Sequence, residues 1–137
     1  MRIMLLITAD HASVETTTGK LNILGAFSRI ITSDDFPKIW NRMSLAVKIR
    51  SELTDHHDER TLTVEIIDED AEKHFHFSGP FKFPPSGTGM PSEFNAVLEL
   101  NGLKFPHPGF YNYVVSVDGE ELGRTPVELV KRQKPSE

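Results

Sequence analysis

His74 and His76 are the residues of this chain best spaced for metal chemistry. On an extended strand, positions i and i+2 share one face about 7 Å apart at Cα, so both imidazoles can approach one ion. The same alternation in "HFHF" assigns Phe75 and Phe77 to a buried face and leaves the histidines in water, where a solvated strand edge is the more usual arrangement. "DEDAEK", Asp68 to Lys73, offers Asp68 and Asp70 as hard oxygen donors of the kind calcium takes. Calcium wants six or more oxygens, and no second acidic loop completes the set, so a plain turn is expected there.

"TDHHDER" crowds Asp55, His56, His57 and Asp58 together, yet consecutive side chains diverge and rarely converge on one ion, so it reads as a solvated loop. Asp10, His11 and Ser13 superficially suggest a relay, but no Gly-x-Ser-x-Gly elbow holds a serine against a base. "SGTG", Ser86 to Gly89, lacks the lysine and following helix of a phosphate loop. A cupin needs a glutamate soon after its His-x-His pair and another histidine in a second motif. Here Phe77 to Phe81 hold no carboxylate and Asn112 stands at the second position. The six histidines, at 11, 56, 57, 74, 76 and 107, are spread along the chain, and only the fold decides which of them meet.

The elements that position these groups are strands. Arg2 to Ala9 and "KLNILGAFSRI" form a first pair joined by "VETTTG"; "DDFPKIW" is predicted to make one helical turn, capped by Asp34 or Asp35, that bridges two sheets. "MSLAVKIR" and "TLTVEIIDE" alternate apolar and polar residues, the signature of a sheet with one wet face. Gly79-Pro80 interrupts "HFHFSGPFKFP", which places that strand at an edge or on a bulge because proline lacks the ladder donor. "EFNAVLEL" follows the loop "PPSGTGMPS", and Phe110 to Val117 and Leu122 to Lys131 close a hairpin through Asp118-Gly119. The pattern predicts an all-β fold, an antiparallel β-sandwich of seven to eight strands, immunoglobulin-like or C2-like, as one domain over 1–131 with a disordered tail at 132–137. "HPGFYNY" has the spacing of a tyrosine corner: Gly109 bends the chain, Tyr111 bonds back to the backbone, and Tyr113 stands where antibody domains carry cysteine.

With 137 residues and no cysteine, the chain has size enough for its own core and no means of making a disulfide or a thiolate site. Its net charge is −5 with lysines and arginines scattered singly, which disfavours a nucleic-acid partner. No apolar run approaches the roughly 20 residues that span a bilayer, and "MRIMLLITAD" is broken too early for a signal core, so no membrane association and a cytoplasmic location are expected. Met4 and Leu6 beside Ile3, Leu5 and Ile7, Leu24 beside Ile23, and Val114 beside Val115 are apolar on both strand faces. Such faces need cover, from a loop or from a second copy in a two-fold homodimer.

The run "ADHASVETTTGKLNILGAFSRI", with "FPKIW", "LAVKIR" and "VEIIDED" after it, resembles a family of small bacterial all-β proteins, a domain of unknown function, whose openings follow "ADxA…GKLxILGxFxRI". The resemblance implies a fold and carries no catalytic residue. Because each catalytic pattern is incomplete while the scaffold pattern is nearly whole, the reading is a non-enzymatic binding or protein-interaction module with no cofactor. Its alternatives are a metal-binding protein or metal-dependent enzyme using His74 and His76, and a structural subunit of a homo-oligomeric assembly.

Overall fold

The structure, a computed structural model, describes residues 1–55, 58–87 and 89–133. Among the described residues nine strands form two sheets, and there is no helix. The strands are β1 (Arg2–Val14), β2 (Leu21–Phe27), β3 (Arg29–Thr32), β4 (Lys38–Arg50), β5 (Arg60–Asp68), β6 (Lys73–Phe81), β7 (Glu93–Phe105), β8 (Gly109–Val117) and β9 (Glu120–Lys131). One sheet runs β2-β1-β4-β7 and the other β3-β9-β8-β5-β6. The core lies between them. Met43, Leu45 and Val47 of β4 face Val64 and Ile66 of β5 and Tyr111, Tyr113 and Val115 of β8, as the period of two in those segments demands.

The count exceeds the expected seven to eight because the segment Lys20 to Ile30 is two strands. The chain leaves the first sheet at Phe27 and enters the second at Arg29, where β3 pairs with β9 in parallel, Arg29 opposite Glu128 and Thr32 opposite Lys131. An otherwise antiparallel sandwich therefore contains one parallel pair. The helical turn expected in "DDFPKIW" is absent. β4 already begins at Lys38, so residues 33–37 cross between the sheets as a bend, tied by a Lys38–Asp34 ion pair at 2.6 Å. The Phe36–Pro37 peptide is cis. Pro80 sits in β6 opposite Thr61, and β6 is the edge of its sheet, where the missing N–H leaves no ladder bond unmade. Of the expected tail, Arg132 is held by its N–H to the carbonyl of Thr32, and residues 134–137 lie outside the described residues.

The segments apolar on both faces are covered within the chain to different degrees. Val114 and Val115 are both buried, and Leu5, Leu6 and Ile7 are half-buried, while Leu24 is exposed. Ser44 and Ala46, on the face of β4 turned away from the core, are fully buried as well. Part of this cover comes from the β1–β2 hairpin. Leu5 pairs with Lys48 and Lys48 with Asn95, yet the Asn95 side chain also bonds Gly19 at the far tip of the hairpin. The distal half of the hairpin therefore folds back over the sheet that β1 belongs to.

Candidate functional site

Two places gather functional groups: the turn between β5 and β6, and the groove beneath the folded-back hairpin. At the turn, Asp68 ends β5 with its side chain only 1% exposed. Its main chain closes the turn, accepting from Ala71 N–H and donating to the Glu72 carbonyl, each at 3.0 Å. Its Oδ1 accepts from the N–H groups of Asp70 at 2.8 Å and Glu72 at 3.0 Å. Its Oδ2 lies 2.8 Å from His74 Nε2 and 3.3 Å from His107 Nε2. The His74 imidazole first, then the two backbone N–H groups and His107, stabilise the carboxylate and hold the Asp68 pKa down at about 2 against the cost of burial.

The expected sharing of one face by His74 and His76 fails because of a bulge. Glu65 opposes His76, Ile66 opposes Phe75, and Ile67 then opposes Lys73, which leaves His74 as the extra residue. The bulge turns the His74 ring inward, against Tyr111 edge-on at 5.5 Å. His76 stays exposed, 3.5 Å from Glu65 Oε2. His74 thus joins Asp68, and His76 does not. Phe77, expected to be buried, is 40% exposed, because on an edge strand one flank of the ring lacks a neighbour. It lines an apolar cleft of about 360 Å³ between β6 and β7.

His107 was no part of the metal pair that the spacing suggested. It arrives from the loop before β8, placed by the corner itself: Tyr111 Oη donates to the His107 carbonyl at 2.7 Å, and the His107 ring stacks on the Tyr111 ring at 5.6 Å. The Pro108 carbonyl, and then Asp68, raise the His107 pKa by accepting from its ring. Gly109 has φ +131°, and a Cβ there would stand 2.6 Å from Glu69 Oε1, the atom that accepts from Phe110 N–H. No periodicity in the sequence links position 68 with position 107; the antiparallel register of β5 on β8, Asp68 opposite Tyr111, brings them together.

The remaining candidates stay apart from this cluster. Asp10 and His11 are exposed on β1. Asp55 closes its own loop by accepting from Glu52 N–H at 2.6 Å; His56 and His57 lie outside the described residues, as does Thr88 of the "SGTG" loop, in which Ser86 Oγ donates to the Met90 carbonyl.

The groove is the larger feature, about 1260 Å³. Met4, Leu5, Val14, Leu21, Ile23 and Phe94 give it an apolar lining, and a register shift in β1 between Ile3 and Leu5 leaves Met4 unpaired with β4. Its far wall is the hairpin tip, shaped by Glu15, whose carboxylate accepts from Thr17 and Thr18 N–H at 3.1 and 2.6 Å, and by Gly19 at φ +71°. Asn95 Nδ2 donates to Gly19 O at 2.7 Å, while Asn95 Oδ1 is buried with no hydrogen-bond partner among the described residues. Cations outnumber acids: among the described lining residues Lys20, Lys48, Arg50 and Lys82 stand against Glu93, with the Glu15 carboxylate turned onto Thr17 and Thr18 at the hairpin tip. Glu93 is engaged by Arg50 at 2.8 Å and Lys48 at 3.5 Å, with the Arg50 bond first among the causes that lower its pKa. Among the described residues, neither the Lys20 nor the Lys82 ammonium has an acidic partner.

A model of a family of unknown function (DUF6941) matches residues 4–130. The chain belongs to this family. No curated protein matches the chain. Two solved structures show a distant likeness. Against the alkylpurine DNA glycosylase AlkC of Pseudomonas fluorescens, bound to DNA containing an abasic-site analogue, identity is 17% and the TM-score 0.46, over 91% of this chain and 30% of that one. Against a β-glucuronidase from glycoside hydrolase family 2, identity is 14% and the TM-score 0.38, over 70% of this chain and 11% of that one. The chain thus spans less than a third of either protein. Among the described residues no helix is long and apolar enough to cross a membrane.

Proposed function

We propose that this member of the DUF6941 family is a non-enzymatic binding module of immunoglobulin-like design, and that its groove takes an extended, acidic segment of a partner protein. The order β1-β4-β7 in one sheet and β9-β8-β5-β6 in the other supports the immunoglobulin-like reading, since it matches A-B-E against G-F-C with a C′ strand beside C. The corner fits the same scheme. Tyr113 Oη reaches across the core to Met43 Sδ at 3.1 Å, linking the two strands that antibody domains join by a disulfide.

The observation that carries the binding reading is a pair of ammonium groups, Lys20 and Lys82, without an acidic partner among the described residues, on an apolar-lined groove in a chain of net charge −5. Carboxylates of a partner complement that charge and its apolar residues meet the lining. A volume of about 1260 Å³ exceeds the roughly 300–1,000 Å³ of common small-molecule pockets, which favours a chain segment. A fluorescein-labelled octapeptide of alternating leucine and glutamate tests this by anisotropy. It is expected to bind in preference to its leucine-lysine counterpart, and Lys20→Glu with Lys82→Glu should weaken it roughly tenfold. Equal binding of both peptides, or no effect of the double charge reversal, contradicts the assignment. So does a dimer mass for the chain alone that the same reversal abolishes, because the occupant is then a second copy.

A further inference from the structure

The Asp68 cluster holds more polar groups than the turn requires. The turn is closed by the Asp68 main chain and by Oδ1, which takes the Asp70 and Glu72 N–H groups. Oδ2 is left to two imidazoles from separate parts of the chain, one on the bulge of β6 and one in the loop before β8. We propose that Asp68, Glu72 and His74 bind a divalent cation of the zinc class, with His107 as the residue that orients Asp68.

The geometry is near what such an ion needs. The ligand atoms of Asp68, Glu72 and His74 lie within 4.8 Å of one another. Zinc holds nitrogen and oxygen ligands at about 2.0–2.2 Å, which in a tetrahedron puts two ligand atoms about 3.3 Å apart. The His74 Nε2 to Asp68 Oδ2 separation of 2.8 Å needs to open only slightly once an ion replaces the shared proton. One imidazole with two carboxylates suits zinc and its neighbours better than calcium, which takes oxygens almost alone.

The supporting shell is in place. His74 is 16% exposed and packed edge-on against Tyr111, so its ring is restricted before an ion arrives. Asp68 keeps its Oδ1 bonds to the turn while Oδ2 faces the ion. His107, 43% exposed at the rim, donates to that carboxylate from outside. Glu72 is exposed and gives the ion a path from solvent. A second set, Asp68, Asp70 and His107, lies within the same 4.8 Å limit, but the rim position of His107 leaves it less restricted than His74.

Zinc titration of the untagged chain by calorimetry tests the site, together with the thermal midpoint with and without zinc. One zinc per chain, a midpoint raised by zinc, and loss of most of the affinity in His74→Gln and Glu72→Gln are expected. His107→Gln should bind about ten- to a hundredfold more weakly, as removal of an orienting partner does. The midpoint of each variant in chelator separates a folding defect from a lost ligand. No binding at micromolar zinc overturns the proposal. So does affinity that survives His74→Gln while falling in Asp70→Asn and His107→Gln, since the ion then belongs to the second set. The groove reading stands or falls separately, because these variants leave Lys20 and Lys82 in place.

Discussion

Asn95 donates a 2.7 Å hydrogen bond from its side-chain amide to the carbonyl of Gly19, fastening the tip of the β1–β2 hairpin to β7. These residues are 76 positions apart, and the bond is what makes a curled hairpin into the wall of a groove. Asn95→Ala removes the tie without touching the core between the sheets. We expect a stability loss of about 1 kcal/mol and faster amide exchange at residues 15–20. Hydrogen exchange read by NMR checks it, and unchanged protection at the tip would mean that the hairpin holds its place by other contacts.

Tyr111 anchors the corner at both ends of one residue, donating to the His107 carbonyl and accepting from its N–H at 3.3 Å. Tyr111→Phe keeps the ring against Phe105, at 4.9 Å, and loses the hydroxyl. The expected cost is about 1 kcal/mol in chemical denaturation, with peptide binding in the groove unchanged. Unaltered stability combined with lost peptide binding would make Tyr111 a functional residue.

Acid should weaken the turn through Asp68. Its carboxyl is held at about 2, below the ordinary 3.8, so the folded state binds this proton less readily than the unfolded chain. The stabilisation is therefore complete above about pH 4 and disappears as pH falls toward 2. His107 runs the other way: its pKa is raised, so its contribution is complete below about pH 6.5 and is lost as pH rises through the folded value. Denaturation in chelator should show the advantage of the natural chain over His74→Gln shrinking between pH 4 and 2. A constant gap across that window would show that the His74 bond does not set the Asp68 proton affinity.

The sequence made β5 legible because one of its faces is open, so alternation reports the core directly, whereas the wet face expected of β4 is covered at Ser44 and Ala46, and Val114 of β8 is buried beside Val115. It also placed the edge character of β6, through a proline whose backbone need is local. It did not reveal the split of β2 from β3, since Ile30 continues the apolar pattern of β2 into a different sheet. Nor could spacing show that His74 is a bulge residue: one extra position reverses the face of every side chain after it, and His74 parts from His76 for that reason alone. Asp68 and His107 meet only through strand register. The groove depends on a strand bending back over its own sheet, for which alternation carries no sign.

Binding in the groove is tested most directly by mapping where an acidic peptide lands. With the alternating leucine-glutamate octapeptide titrated into isotope-labelled chain, NMR shift changes are expected at Met4, Lys20, Leu21, Lys82 and Asn95, fading as salt rises. Changes confined to the apolar cleft at Phe77, or to the turn at Asp68, with the groove signals unmoved, would contradict it.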